Sequence, residues 1–379
     1  MAITLSHLSA LDVTRTLRSK GVNLRDMDTV SLSHPTPWVG KRWRQREFDP
    51  SVWQWERPSR TAPLHVVVPK RGGRRRVGMD CVVVHEQSQS LPSQSIVWLD
   101  EHTSMVCPEL LFLQMANCMT LPALVMLGHE LCGHFSRTAQ EPLEGDVATN
   151  VPAATNAERL INYVSAFSHM HGIKRARFAL SHMSDHALSA PESVLGMMYS
   201  LPPEEGGFGM GPVTFNLRVS LEDLHELYGL KARYPDLSFS FAPLGINYDG
   251  EGHLDLDALI NDAKRLALVT SDVQEKAQRE LGTTKAQVRA KYVDDIVRNR
   301  QLASRGRIVF PVTKEDLRDA DSLDELTRQI LGCARTLFGI DTSRYDKTLE
   351  DTEEKRERSR LLASVTPLGR QWGSSHGRM

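Results

Sequence analysis

The chain has 379 residues, 40% of them apolar, with 46 Lys and Arg against 47 Asp and Glu; this length exceeds what one small core organises and predicts two domains. The even charge balance excludes a histone-like partner bound by global basic charge, so any nucleic acid has to be met by a local patch. The apolar run Leu121 to Leu127 is far short of the roughly 18–20 residues that span a bilayer. Met1 to Leu17 lacks the basic start and continuous apolar core of a secretory signal, so a soluble cytoplasmic protein without a membrane partner is expected. The five cysteines are widely spaced with no C-x-x-C pair, which points to reduced thiols rather than a disulfide framework or zinc ribbon.

Along the chain, Leu11 to Arg25 is predicted as a short helix, followed from Ser33 to Arg60 by an irregular segment with four prolines and four tryptophans among basic residues. The valine-rich stretches Leu64 to Pro69 and Cys81 to His85 read as two strands joined by a charged hairpin through Lys70 to Arg76, with a third strand at Ser95 to Leu99. Helical spacing begins at Pro108, a proline suited to a first turn, and continues through Leu121 to Phe135. Glu141 to Ala154, rich in Pro, Gly, Asp and Asn, is the expected domain boundary. Helices follow at Ala157 to Phe167, at Ile173 to Leu188 and from Ala190 to Leu201.

From Pro235 the period changes to two. Leu237, Phe239 and Phe241 alternate with Asp236, Ser238 and Ser240, and after a turn at Pro243 the strand returns over Leu244 to Asp249. Asp255 to Arg300 is helical by composition, Arg307 to Val312 is a short apolar strand, and Ser322 to Phe338 is a helix with Leu323, Leu326, Ile330, Leu331 and Leu337 placed to face a core. Thr342 to Met379 carries charge runs and few apolar residues and reads as a disordered tail. The resulting plan is α/β (α+β): an amino-terminal α+β domain over 1–150, a helical connector over 151–188, a second domain over 189–340 and a tail over 341–379.

Two constellations offer chemistry. His129-Glu130-Leu131-Cys132-Gly133-His134 superficially resembles the zinc-protease H-E-x-x-H helix, but its histidines are five residues apart, about 140° round a helix instead of about 40°, so they cannot share one metal. In the 235–250 segment, by contrast, a hairpin sets Asn247 and Asp249 on one face of a strand, towards Asp236 on its neighbour. Three converging oxygen donors suit a hard cation such as Mg²⁺ or Mn²⁺, which keeps waters and room for a phosphate.

At these residues the sequence resembles the PD-(D/E)XK nucleases, in particular the branch similar to very-short-patch-repair endonucleases. Ala190-Pro191-Glu192 matches the start of that branch's helix, Asp236 its first acid and Asp249 its second. His253 matches its downstream histidine, Asp295 with Arg298 and Leu302 its D-x-x-R helix, and Gly306 to Thr313 its last strand; Gly206 to Gly209, Pro212 and Asn216 resemble the intervening loop. A second D-x-x-R, Asp262 to Arg265, competes with Asp295, which keeps the better register with the strand that follows. Where the family usually has Glu, this chain has Asn247, a neutral ligand that cannot act as a base. The resemblance covers about 40% of the chain, from Ser189 to Leu331, and implies a restriction-endonuclease-like mixed sheet flanked by helices. It further implies a metal on Asp236, Asn247 and Asp249, with His253 positioning or deprotonating the attacking water, Glu192 orienting a water outside the metal's own ligands and Arg298 contacting DNA.

The amino-terminal half resembles, more weakly, abortive-infection antitoxins and transcriptional regulators, through Leu64 to Pro69, Arg74 to His85 and Val106 to Glu109. Two basic runs, Lys41, Arg42 and Arg44, and Lys70, Arg71, Arg74, Arg75 and Arg76, are candidate phosphate contacts, with Trp38, Trp43, Trp53 and Trp55 available to stack. Two functions are therefore expected: a Mg²⁺-dependent DNA endonuclease, whole or weakened, in defence or repair, or a non-enzymatic DNA-binding regulator that retains a nuclease fold. A protein partner is compatible with either.

Overall fold

A computed structural model describes residues 3–30, 58–69, 81–101, 103–138, 147–221, 231–249, 264 and 271–365. The chain divides into two units, Met1–Ser200 and Leu201–Met379. Both mix helices with sheets, as the α+β expectation requires.

The first unit is built on a sheet of six strands: β1 (Ile3–Leu5), β2 (Thr29–Val30), β3 (Leu64–Pro69), β4 (Val82–Gln87), β5 (Ile96–Trp98) and β6 (Thr103–Val106), in the order β2-β5-β6-β1-β3-β4. Strand β1 runs parallel to β6 and antiparallel to β3. The predicted charged hairpin is corrected here, because β3 and β4 pair in parallel, Leu64 beside Val82 and Val67 beside His85. Twelve residues separate these strands in sequence, the length of about a dozen that a parallel connection needs and far more than a tight hairpin uses.

Against the sheet lies α1 (His7–Ser19), which buries Ala10, Leu11 and Val13. Further helices are α2 (Pro108–Met115), α3 (Leu121–Cys132), α4 (Ala157–Ser165), α5 (Ile173–Leu180) and α6 (Ala190–Ser200). Their starts follow local chemistry: Thr120 and Asn156 accept from backbone N–H groups at the first turns of α3 and α4, and Pro108 occupies a first-turn position of α2. The helix predicted to run to Phe135 stops at Cys132. Gly133 lies so close to the Ala187 carbonyl, 2.4 Å from where a Cβ would stand, that a larger residue would collide with backbone. Phe135 instead opens β7 (Phe135–Arg137), which pairs with β8 (Val147–Thr149). This pairing and the packing of α4, α5 and α6 on α2 and α3 move the domain boundary from the predicted loop and connector to Ser200.

The second unit carries the sheet β14-β13-β12-β9, formed by β9 (Val213–Phe215), β12 (Leu237–Phe239), β13 (Leu244–Asp249) and β14 (Ile308–Thr313), while β10 (Val219–Ser220) and β11 (Ala232–Arg233) form a separate pair. The predicted hairpin is present, with β12 antiparallel to β13 and β13 parallel to β14. Helix α7 (Ser271–Ser304) precedes β14, and α8 (Ala320–Phe338) presents Leu323, Leu326, Ile330 and Leu331 to the core; Leu337, expected there too, is exposed. The tail read as disordered is corrected over its first part: it forms α9 (Ser343–Glu350) and α10 (Thr352–Val365), which bury Tyr345, Leu349, Leu361 and Leu362. The charge run hid a buried ion pair, since Arg358 Nε donates to Asp324 Oδ1 of α8 at 2.7 Å and neither side chain is exposed. Among the described residues no helix is long and apolar enough to cross a membrane.

Candidate functional site

In the second unit the β12–β13 register pairs Leu237 with Ile246 and Ser238 with Gly245; one step further it sets Asp236 opposite Asn247. The contacts are consistent with this, because the Asp236 N–H donates to Asn247 Oδ1 at 3.2 Å and the Tyr248 N–H donates to Asp236 Oδ2 at 2.6 Å. Asn247 is 2% exposed, and Asp249, two residues on, stands beside Thr313 of β14 on the same face of β13. Gly245 keeps the hairpin tight, since a Cβ there would lie 2.7 Å from the Leu237 carbonyl oxygen.

Burial pushes the Asp236 carboxyl up to about 6. The Tyr248 N–H and the Arg298 guanidinium oppose that rise, while the charges of Asp249 and Asp295 add to it. Both Asp295 and Arg298 lie near the end of α7, where Arg298 Nη2 bonds Asp295 Oδ1 at 2.9 Å across one turn. The same stretch is held to the small β10–β11 sheet by Arg233, which donates to both Asp294 oxygens and to Gln301 Oε1. Val297 and Leu302 are buried beneath it. Thus Asp236, Asn247, Asp249, Asp295 and Arg298 form one neighbourhood, whose excess negative charge, partly withdrawn from water, is what a hard divalent cation neutralises. Carboxylate and amide oxygens are also the donor chemistry that cation prefers, so the donor types fit it, although Asp236, Asp249 and Asp295 do not bring one oxygen each within 4.8 Å of one another.

Glu192 has other partners. Its carboxylate accepts from the Leu188 N–H and the Ser189 hydroxyl, while Ser189 Oγ accepts from the Glu192 N–H. This reciprocal arrangement caps the start of α6 in the first unit, whereas both aspartates belong to the second. His253, the rival Asp262 and the basic residues Lys41, Arg42, Arg44, Lys70, Arg71, Arg74, Arg75 and Arg76 lie outside the described residues.

The H-E-L-C-G-H histidines do not meet at one point. His129 is buried with Nδ1 2.9 Å from Ser193 Oγ, and burial takes its ring down to about 3; His134 sits 3.2 Å from the Val151 carbonyl. Glu130 is held ionised by Arg15, at 2.5 Å and 2.8 Å, and by the Arg137 N–H. Sequence reasoning missed a different cluster: His7, His65 and His85 of the first unit place one ligand atom each within 4.8 Å of the others. Among the described residues it is the one such group of His, Cys, Asp or Glu. Its members are 58 and 20 residues apart in sequence, so no short motif announces it, although two lie on paired valine-rich strands.

Compared with protein-family models, with curated proteins and with solved structures, the chain returns no match. The fold and site together therefore define a two-unit mixed α/β chain with a carboxylate neighbourhood on the hairpin of its second sheet.

Proposed function

We propose that the second unit is a divalent-cation-dependent DNA endonuclease on a restriction-endonuclease-like sheet, weakened by Asn247. The observation that carries this reading is Asp236: a half-buried carboxyl raised to about 6, opposite Asn247 and under the charges of Asp249, Asp295 and Arg298. The resemblance to the nuclease family names the same residues and so supports the same conclusion from sequence.

In this reading Asp236 and Asp249 hold Mg²⁺ or Mn²⁺, with Asn247 adding an amide oxygen. The bound cation supplies polarisation of a phosphodiester and neutralisation of the charge that develops on it. Arg298, kept in place by Asp295, attracts the phosphate next to the scissile bond. His253 accepts the proton of the attacking water. The basic runs 41–46 and 70–76 hold the DNA backbone by salt-sensitive contacts.

A binding protein without catalysis is favoured by one specific fact. Asn247 carries no charge, and its oxygen already accepts the Asp236 N–H. Nicking of supercoiled plasmid with Mn²⁺ separates the readings. The nuclease reading expects cleavage by the wild type, its loss in Asp236→Ala and an increase in Asn247→Glu, where the missing charge is restored. Absence of cleavage in both the wild type and Asn247→Glu, with salt-dependent DNA binding retained, would establish the binding protein instead.

A further inference from the structure

We propose that His7, His65 and His85 form a second metal site, in the first unit, for a borderline divalent ion of the Zn²⁺ class. The three residues are the first residue of α1, one of β3 and one of β4. Parallel pairing puts Val67 beside His85, so His65 and His85 share a face, and His65 Nδ1 lies 2.9 Å from His85 Nε2. The ring of His7 stacks on that of His85 with centroids 3.5 Å apart.

The backbone around these rings is fixed before any ion arrives. The Ser6 N–H donates to the His65 carbonyl at 3.1 Å, the His65 N–H donates to Ser9 Oγ at 2.8 Å, and the His7 N–H donates to Gln114 Oε1 at 3.2 Å. His7 also takes a φ of +49°, a left-handed conformation that residues other than glycine rarely adopt and that persists where the surroundings impose it. His7 is 9% exposed, so its ring is largely withdrawn from water. The neutral imidazole is the form that ligates metal.

The donor set selects the ion. Three imidazoles suit Zn²⁺ or Co²⁺ and are poor partners for Mg²⁺, so this site and the aspartate neighbourhood take different ions. Tetrahedral ligation needs nitrogens about 3.3 Å apart, as follows from zinc–nitrogen bonds of about 2.0–2.1 Å; the three ligand atoms lie within 4.8 Å of one another, so binding requires the side chains to draw closer. Three protein ligands leave a fourth position for water or a ligand atom. The ion would join α1 to the β3–β4 edge.

The test uses the full chain carrying Asp236→Ala, which removes the aspartate neighbourhood from consideration. It is stripped with a chelator and titrated with Co²⁺ in the visible range, then with Zn²⁺. One equivalent of Co²⁺ giving the intense bands of low-coordinate nitrogen ligation, displaced by Zn²⁺, is expected. His65→Gln and His85→Gln should each weaken binding by more than the roughly 100-fold that loss of an outer-shell partner produces. Absence of such bands, or bands unchanged in both variants, would overturn the site. If either variant fails to fold, histidine acylation by diethyl pyrocarbonate, mapped by peptide mass in the folded parent with and without Zn²⁺, gives the answer. Protection at His65 and His85, the two more exposed of the three, supports the site, and protection only elsewhere, or nowhere, overturns it.

Discussion

Asp236 couples the chemistry of the site to stability. Its folded value of about 6 lies above the ordinary carboxylate value near 3.9, so between those pH values the folded chain binds more protons than the unfolded one. Its contribution is therefore fully present below about pH 4 and is lost as pH rises through 6. In metal-free protein Asp236→Asn should raise stability at pH 8 by roughly 1–3 kcal/mol, because the amide oxygen still accepts the Tyr248 N–H without a charge to desolvate. The gain should vanish near pH 4. Urea unfolding at the two pH values measures it, and a loss of stability at pH 8 would contradict this electrostatic account. Asp236, Asn247 and Asp249 were legible in sequence because strand alternation places them by arithmetic. The histidine cluster was not, since it depends on β3 and β4 running parallel, which no local pattern encodes.

At the scale of elements, the sequence marked starts better than ends and pairings. The 64–69 strand, the Pro108 helix start and the 244–249 strand were read from β-branched runs, a first-turn proline and a change of period. Short strands such as Thr103–Val106 were missed because three or four residues show no period, and the sheet order that joins them is non-local. Glu192 illustrates how one pattern serves two ends: Ser189-Ala190-Pro191-Glu192 fits a nuclease helix and also a capping box, and both its oxygens bond at the helix start. Ser189→Ala should cost about 0.5–2 kcal/mol, as loss of a capping hydroxyl does, measured by thermal unfolding of the full chain. No change would mean that Ser189 and Glu192 do not support α6.

Over the whole molecule, each unit is tied by a buried ion pair between segments far apart in sequence, Arg15 with Glu130 in the first and Arg358 with Asp324 in the second. Removing one partner leaves a buried charge. Asp324→Ala should therefore destabilise the second unit by about 3–5 kcal/mol, while replacement of both partners by apolar residues of similar size should cost far less. A double-mutant cycle by denaturant unfolding checks this, and additive losses would contradict it. Among the described residues, acid acts on the first unit through His7, His85 and His129, which are held neutral with values of about 3, 4 and 3. Unfolding lets each take a proton below about pH 6.5. Each site so depressed should then weaken folding by up to about 1.4 kcal/mol per pH unit below 6.5, until its folded value is reached. Circular dichroism melts from pH 7 to pH 4 should show this fall, and His129→Gln, if it folds, should flatten it.

Nuclease activity in the second unit requires that Asp236 and Asp249 hold a divalent cation. Calorimetric titration of Mn²⁺ into the wild type and into Asp236→Ala, after His85→Gln has been introduced into both to silence the histidine cluster, addresses that directly. Saturable binding near one equivalent that disappears with Asp236→Ala is predicted. Absence of binding in both folded proteins, or binding indifferent to Asp236, would contradict the nuclease reading.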